Sequence, residues 1–244
     1  MTRTPPQPAD PPDRSSSQDL YEADIAVRGP QRHLRYVFFL FFVRPVMLII
    51  MGMNVRHAMR LPNSGPALIV ANHNSHLDAL ALITLFGMQR LHQVRPVAAA
   101  DYFLRNRWMA WFSVRVLGIL PLDRQVRRRG KHPLTPINDA IERNEIVLLF
   151  PEGSRGQPEQ RQPLQQGIAH LAKLHPDVPI VPVFMHGLGK ALPRGEGLLV
   201  PFICDIFVGQ SMRWQGDKAT LMRDLCQAFD DLENEASKPQ YPID

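Results

Sequence analysis

Cysteine is scarce in this 244-residue chain. Cys204 and Cys226 are the only two, they lie in apolar segments, and they lack the paired spacing of a metal site or a disulfide framework. Both read as buried thiols of a reducing compartment. Lysine is nearly as scarce, five of 28 basic residues, so the formal net charge of +5 rests on arginine. The planar guanidinium grips phosphate better than an ammonium does, which points to an anionic partner. Genomic base composition is the competing source of an arginine bias. Residues 1–17 are crowded with Pro, Asp, Ser and Arg and hold no apolar run, so no secretory signal is expected there. They read as the start of a disordered tail covering residues 1–30. There is no internal repeat, and the basic residues are scattered without a recognised module, which argues against a nucleic-acid partner.

Uninterrupted apolar length is missing too. The run from Tyr36 to Met53 is almost wholly apolar, but Arg44 and Pro45 stand in its middle. A charge at the bilayer centre costs roughly 2.5–3.5 kcal/mol, and proline breaks the helical ladder. Each apolar half is too short to cross about 30 Å of hydrocarbon. Residues 31–55 are therefore expected to form two short helices meeting at Arg44-Pro45 and lying in the membrane interface. A kinked transmembrane helix and a buried core helix are the alternatives.

What is present downstream alternates short runs rich in Val and Ile with longer helical stretches, the pattern of an α/β domain. Strands are expected at Ala67–Ala71, Arg95–Ala99, Ile119–Leu122, Ile146–Phe150, Ile180–Met185 and Leu199–Val208. Helices are expected at His76–Phe86, Asp101–Val116, Pro136–Arg143 and Gly167–His175. A last helix runs from an N-cap at Asp217 to about Glu235, with apolar spacing at Leu221, Leu225, Phe229 and Leu232. With 45% apolar residues, 56–244 fits a single α/β domain, a mixed sheet flanked by helices.

The stretch Ala71-Asn-His-Asn-Ser-His-Leu-Asp78 joins a buried strand to a buried helix, where rigid elements can hold catalytic groups at a rim. His73 and Asp78 would point about 140° apart on one continuous helix, at 3.6 residues per turn. They meet only if the chain bends between them, as a strand-to-helix turn does. An imidazole oriented by a carboxylate is poised as a general base. Ser75-x-x-Asp78 is equally a capping box, which would leave Asp78 a helix-start residue. His73, His76 and Asp78 as metal ligands is a weaker third possibility.

Phe150-Pro-Glu-Gly-Ser-Arg-Gly156 follows a strand directly. Gly153 and Gly156 permit a tight wrap, and Arg155 could clamp a phosphate. An ordinary polar turn closed by a Glu152–Arg155 surface pair competes with this. In Gly118-Ile-Leu-Pro-Leu-Asp-Arg124, Arg124 at a strand end is a second candidate phosphate contact. The basic run from Arg127 to Arg129 reads as a solvated loop, with contact to anionic lipid headgroups as the alternative.

In this order the pieces resemble the glycerolipid acyltransferase family that includes lysophosphatidic acid (1-acyl-sn-glycerol-3-phosphate) acyltransferases. Its four blocks look like His73-x4-Asp78, Gly118 to Arg124, Phe150 to Gly156, and Ile180-Val-Pro-Val183. The resemblance implies acyl transfer without a covalent enzyme intermediate, with His73 and Asp78 catalytic. It implies an acceptor site of Arg124, Glu152, Gly153 and Arg155, with Pro182 in a block that shapes a substrate pocket. The co-substrate would be acyl-CoA or acyl carrier protein, the acceptor a lysophospholipid. No metal or cofactor is implied, and the enzyme would sit on membrane lipid at the cytoplasmic face of the cell membrane. Many members place a lysine shortly after the Glu-Gly block, where this chain has Leu164-Gln-Gln-Gly167; that departure bears on which lysolipid is acylated. A membrane lipid-binding protein that kept the fold without the chemistry is the rival from another class.

Overall fold

The computed structural model describes residues 30–75, 77–100, 106–122, 133–153, 162–188 and 204–238. Its strands are β1 (Met53–Arg56), β2 (Ala67–Ala71), β3 (Val94–Ala99), β4 (Leu120–Leu122), β5 (Ile146–Leu149), β6 (Ile180–His186) and β7 (Cys204–Val208). Its α-helices are α1 (Arg32–Phe38), α2 (Asp78–Leu85), α3 (Gly87–Arg90), α4 (Arg107–Phe112), α5 (Thr135–Glu142), α6 (Gly167–Leu174) and α7 (Lys218–Ala236).

β2 is buried at all five positions, the mark of a strand covered on both faces. It pairs in parallel with β5 on one side and β6 on the other. The seven-stranded order is β1-β7-β6-β2-β5-β3-β4, and only the β6–β7 pairing is antiparallel. The sheet is therefore mixed, as expected. Side chains alternate along β2. Ala67, Ile69 and Ala71 join a core with Phe39, Met47, Leu82 and Phe86, beneath the N-terminal helical run and α2. Leu68 and Val70 join the opposite core with Ile137, Ile168, Leu225 and Phe229, from α5, α6 and α7.

The expected elements recur with ends shifted by a residue or two. The last expected strand is described only from Cys204, and the helix expected from Asp101 is described as α4 and a π-helical turn, Ser113–Leu117. Asp217 caps α7, its side chain accepting the Thr220 N–H at 2.7 Å, and these backbone bonds hold its carboxyl below the usual carboxylate range. Leu221, Leu225, Phe229 and Leu232 are its buried stripe. Cys226, one position off that stripe, is exposed and corrects the expectation of two buried thiols; Cys204 is buried in β7.

The N-terminal apolar segment departs from expectation. α1 continues through π-helical turns Phe39–Val43 and Val46–Ile50, with Arg44 and Pro45 in helical backbone conformation. No break occurs at Arg44-Pro45. Proline's φ is already helical, and the wider i→i+5 turns relieve the clash of its ring with the preceding turn. The same turns straighten the buried stripe Arg35, Phe39, Val43, Met47 and Met51. A four-residue spacing would drift by about 40° per step at 3.6 residues per turn. The opposite side is exposed and apolar: Phe41 is 65% and Ile49 80% exposed. Among the described residues no helix is long and apolar enough to cross a membrane.

A buried polar cluster ties this run to the sheet. Arg35 donates from Nη2 to the Val94 carbonyl at 2.8 Å, and Arg95 donates from Nε to the Gly118 carbonyl at 2.8 Å and pairs with Glu145 at 3.1 Å. Gly118 has φ of 73°, and a Cβ there would lie 2.7 Å from Arg35 Nη1. Gly118→Ala combines left-handed strain with overpacking and is expected to cost about 2–4 kcal/mol, read as a lowered urea midpoint.

Candidate active site

β2 and β5 are neighbouring parallel strands, so the loops leaving their C-terminal ends emerge about 4.8 Å apart. This is the rim at which open α/β sheets bind ligands. The loop after β2 carries His73; the turn after β5 carries Glu152.

Asp78 is the first residue of α2 and is fully buried. Its Oδ2 accepts the backbone N–H of Asn74 at 2.6 Å and of Ser75 at 2.8 Å, and lies 2.9 Å from His73 Nδ1. The required bend is thus made by the carboxylate itself. Capping and orientation are one arrangement: the Ser75 N–H bond to Asp78 is half of a capping box. The other half is altered, since Ser75 Oγ accepts from Leu77 N–H at 3.3 Å.

With Nδ1 committed to Asp78, His73 Nε2 is the nitrogen left for a ligand; its side chain is 21% exposed. The ring lies flat against Phe150, centroids 4.2 Å apart at 23°. A bond to carboxylate at Nδ1 puts the free lone pair on Nε2 and stabilises the imidazolium, which is what a general base needs.

Glu152 is 3% exposed, and its Oε1 accepts the His73 backbone N–H at 3.3 Å. It holds the loop of His73 from across the sheet. Glu152→Ala would leave that N–H without its partner and is expected to lower stability by about 1–3 kcal/mol, measured by urea unfolding. Gly153 has φ of 74° and closes the turn by donating its N–H to the Phe150 carbonyl at 3.1 Å. Gln165, in the stretch that departs from the family's lysine pattern, donates its N–H to the Pro151 carbonyl at 2.7 Å, so its segment lies against this turn.

Arg124, Arg155, His76 and the run Arg127 to Arg129 fall outside the described residues. Pro182 lies within β6, level with Val70 of β2 and short of the rim. Among the described residues no group of three His, Cys, Asp or Glu side chains could hold a metal.

Two residues escaped the sequence reading. Asn72 is buried, donating from Nδ2 to the Met185 carbonyl at 2.8 Å and accepting the Met185 N–H at 2.7 Å. Its amide imitates a backbone pair and carries the β2–β6 ladder one step further, up to His73. Phe150 supports the imidazole. An amide between strand end and histidine is the only signal that could have flagged Asn72; the stacking of Phe150 depends on strand order.

The family description Acyltransferase matches residues 52–186. The chain belongs to the acyltransferase family. It is 29% identical over 161 residues to human 1-acyl-sn-glycerol-3-phosphate acyltransferase alpha, covering 66% of this chain and 54% of that protein. It is 28% identical over 141 residues to the chloroplastic 1-acyl-sn-glycerol-3-phosphate acyltransferase BAT2 of Brassica napus, covering 57% of this chain and 39% of that protein. The aligned stretch thus spans about half or less of these relatives' length. In fold it is similar to the 1-acyl-sn-glycerophosphate acyltransferase PlsC of Thermotoga maritima, with a TM-score of 0.65 at 16% identity, covering 91% of this chain and 90% of that one.

Proposed function

We propose that this protein transfers a fatty acyl group from acyl-CoA or acyl carrier protein to the free hydroxyl of 1-acyl-glycerol-3-phosphate, giving phosphatidic acid for phospholipid synthesis. The observation that carries this is the His73 Nδ1–Asp78 Oδ2 pair at 2.9 Å, with Nε2 unoccupied at the sheet rim, in a chain of the acyltransferase family.

His73 Nε2 takes the proton of the acceptor hydroxyl as that oxygen attacks the thioester carbonyl. Asp78 stabilises the imidazolium while negative charge collects on the carbonyl oxygen. Collapse of the tetrahedral intermediate forms the ester and breaks the C–S bond, and the departing thiolate receives the proton from His73. No metal or cofactor is needed for these steps. Arg124 and Arg155 hold the acceptor phosphate through bidentate hydrogen bonds, Gly153 lets the turn approach it, and Glu152 braces the loop between. The exposed apolar side of the N-terminal helical run lies in the membrane interface, at the cytoplasmic face, where acceptor and product both reside.

A second acceptor has one observation in its favour. Gln165 and Gln166 stand where a cation is common in the family, and an amide cannot neutralise a phosphate dianion, so a lysolipid with an esterified phosphate fits the same site.

The test supplies the protein in phospholipid vesicles with lysophosphatidic acid and a long-chain acyl-CoA or acyl carrier protein, and follows both free thiol and lipid product. Phosphatidic acid formed in step with thiol supports the proposal. Failure with both donors, and with other lysolipids, by folded protein rejects it.

A further inference from the structure

A second recess lies at the other rim of the sheet. A cavity of about 280 Å³ opens between α1 and the turn that follows α3, and Arg32, His33, Arg35 and His92 line it. A second, of about 490 Å³, shares Tyr36, Met88 and Gln89 with it and adds Arg44 and Arg90. The two form one groove, and among the described residues its lining holds four arginines, two histidines and no carboxylate. It lies beyond the C-terminal end of α2, about 12 Å of helix away from Asp78, and beside the start of β3. His73 stands at the opposite ends of the parallel strands, so the groove is separate from the acyl-transfer site.

More than surface charge marks the place. Arg35 is only 1% exposed, and its Nε and Nη1 have no hydrogen-bond partner among the described residues. Burial first, and then repulsion by Arg95, push its pKa down to about 9, which still leaves it cationic at neutral pH. Glu145, the carboxylate acting on it, is itself bonded to Arg95 and Arg143. Among the described residues the charge behind the groove is thus net positive. In front, the groove borders the exposed apolar side of the helical run, with Leu40 in its wall and Phe41 and Ile49 beyond. The smaller cavity lies at the lower bound of ligand pockets and suits a headgroup rather than an acyl chain.

We propose that this groove binds the phosphodiester headgroup of an anionic membrane lipid that is not the substrate, with that lipid's chains lying along the exposed apolar side of the N-terminal helical run. The proposal rests on the interfacial placement of that run; it does not depend on the acyl-transfer chemistry. Such a lipid would fix how the protein sits on the bilayer, holding the His73 rim in register with the acceptor.

The full chain is sedimented with phosphatidylcholine vesicles, with and without phosphatidylglycerol, at constant ionic strength. Arg32→Gln with Arg44→Gln is expected to weaken binding to the phosphatidylglycerol vesicles by about 25-fold, at about fivefold per basic residue, and to leave binding to pure phosphatidylcholine unchanged. Arg223→Gln with Lys238→Gln, on and just after α7, removes the same charge elsewhere and is expected to change neither. Equal losses in the two pairs, or no loss in the first, would each overturn the headgroup site. Wild-type protein that binds both vesicles equally overturns it as well and leaves the interfacial placement standing. Protein that binds neither removes both. Arg35 is left intact, because its burial would confound binding with folding.

Discussion

His73→Ala is expected to lower kcat for acyl transfer by about 10² to 10⁴, the range that loss of a general base produces, with little change in the KM of the lysolipid. The reason for the split lies in the geometry. The imidazole offers Nε2 to the reacting hydroxyl and has its other nitrogen committed to Asp78, so it acts on the proton in flight, whereas ground-state binding of the acceptor is proposed for Arg124 and Arg155. A loss confined to kcat marks an interaction made in the transition state. The measurement is lipid product per enzyme at saturating donor, with the urea midpoint of the variant beside it. The ring is partly exposed and stacks on Phe150, so its removal should cost only modest stability. Activity within tenfold of wild type would remove His73 from the chemistry.

Asp78→Asn should lower turnover by about 10² to 10⁴, because the imidazolium formed in the transition state loses the charge that stabilises it. In the wild type Oδ2 receives three N–H groups, two from the backbone of the turn and one from the ring. An asparagine oxygen in the place of Oδ2 can keep all three bonds, with the amide nitrogen in the buried position of Oδ1, but it carries no charge and no longer stabilises the imidazolium that forms as the proton is taken. Stability should fall by only about 1–2 kcal/mol, because one hydrogen-bond set is weakened rather than lost. Asp78→Ala is the poorer probe: it leaves two buried N–H groups open and undoes the turn, so lost activity would not separate chemistry from folding. If Asp78→Asn keeps most of its turnover, the carboxylate is a clasp for the turn and nothing more.

The clasp and the base-orienting group looked like competing assignments for Asp78 because spacing alone cannot say which way a loop bends. In the structure one oxygen does both, since a helix that starts at the carboxylate brings the turn's amides and the imidazole to the same side. Glu152 carries a related lesson. By resemblance it belongs with the acceptor-binding residues, yet its described hydrogen bond goes to the His73 backbone. A residue 79 positions away reaches that amide only because β5 lies next to β2.

By itself the sequence determined the parts whose cause is local. The wholly apolar run of β2 calls for a central strand, the four-residue stripe of Leu221, Leu225 and Phe229 calls for a helix on a core, and Asp217 caps that helix through its own neighbours. The His73-x4-Asp78 pair was legible for the same reason: both members lie within one turn of chain. Only the tertiary structure decided the rest. β1 is four residues at the end of an apolar run, with an asparagine in its middle, and it is a strand because β7 offers it an edge, where Asn54 donates to Asp205 at 2.8 Å. The helix through Pro45 stays unbroken because its stripe packs on the sheet core and wider turns make room for the ring. Asn72, Phe150 and Glu152 meet His73 through strand order, which no local periodicity encodes: pairing energy is exchanged between segments far apart in the chain, and the register appears only once they have met.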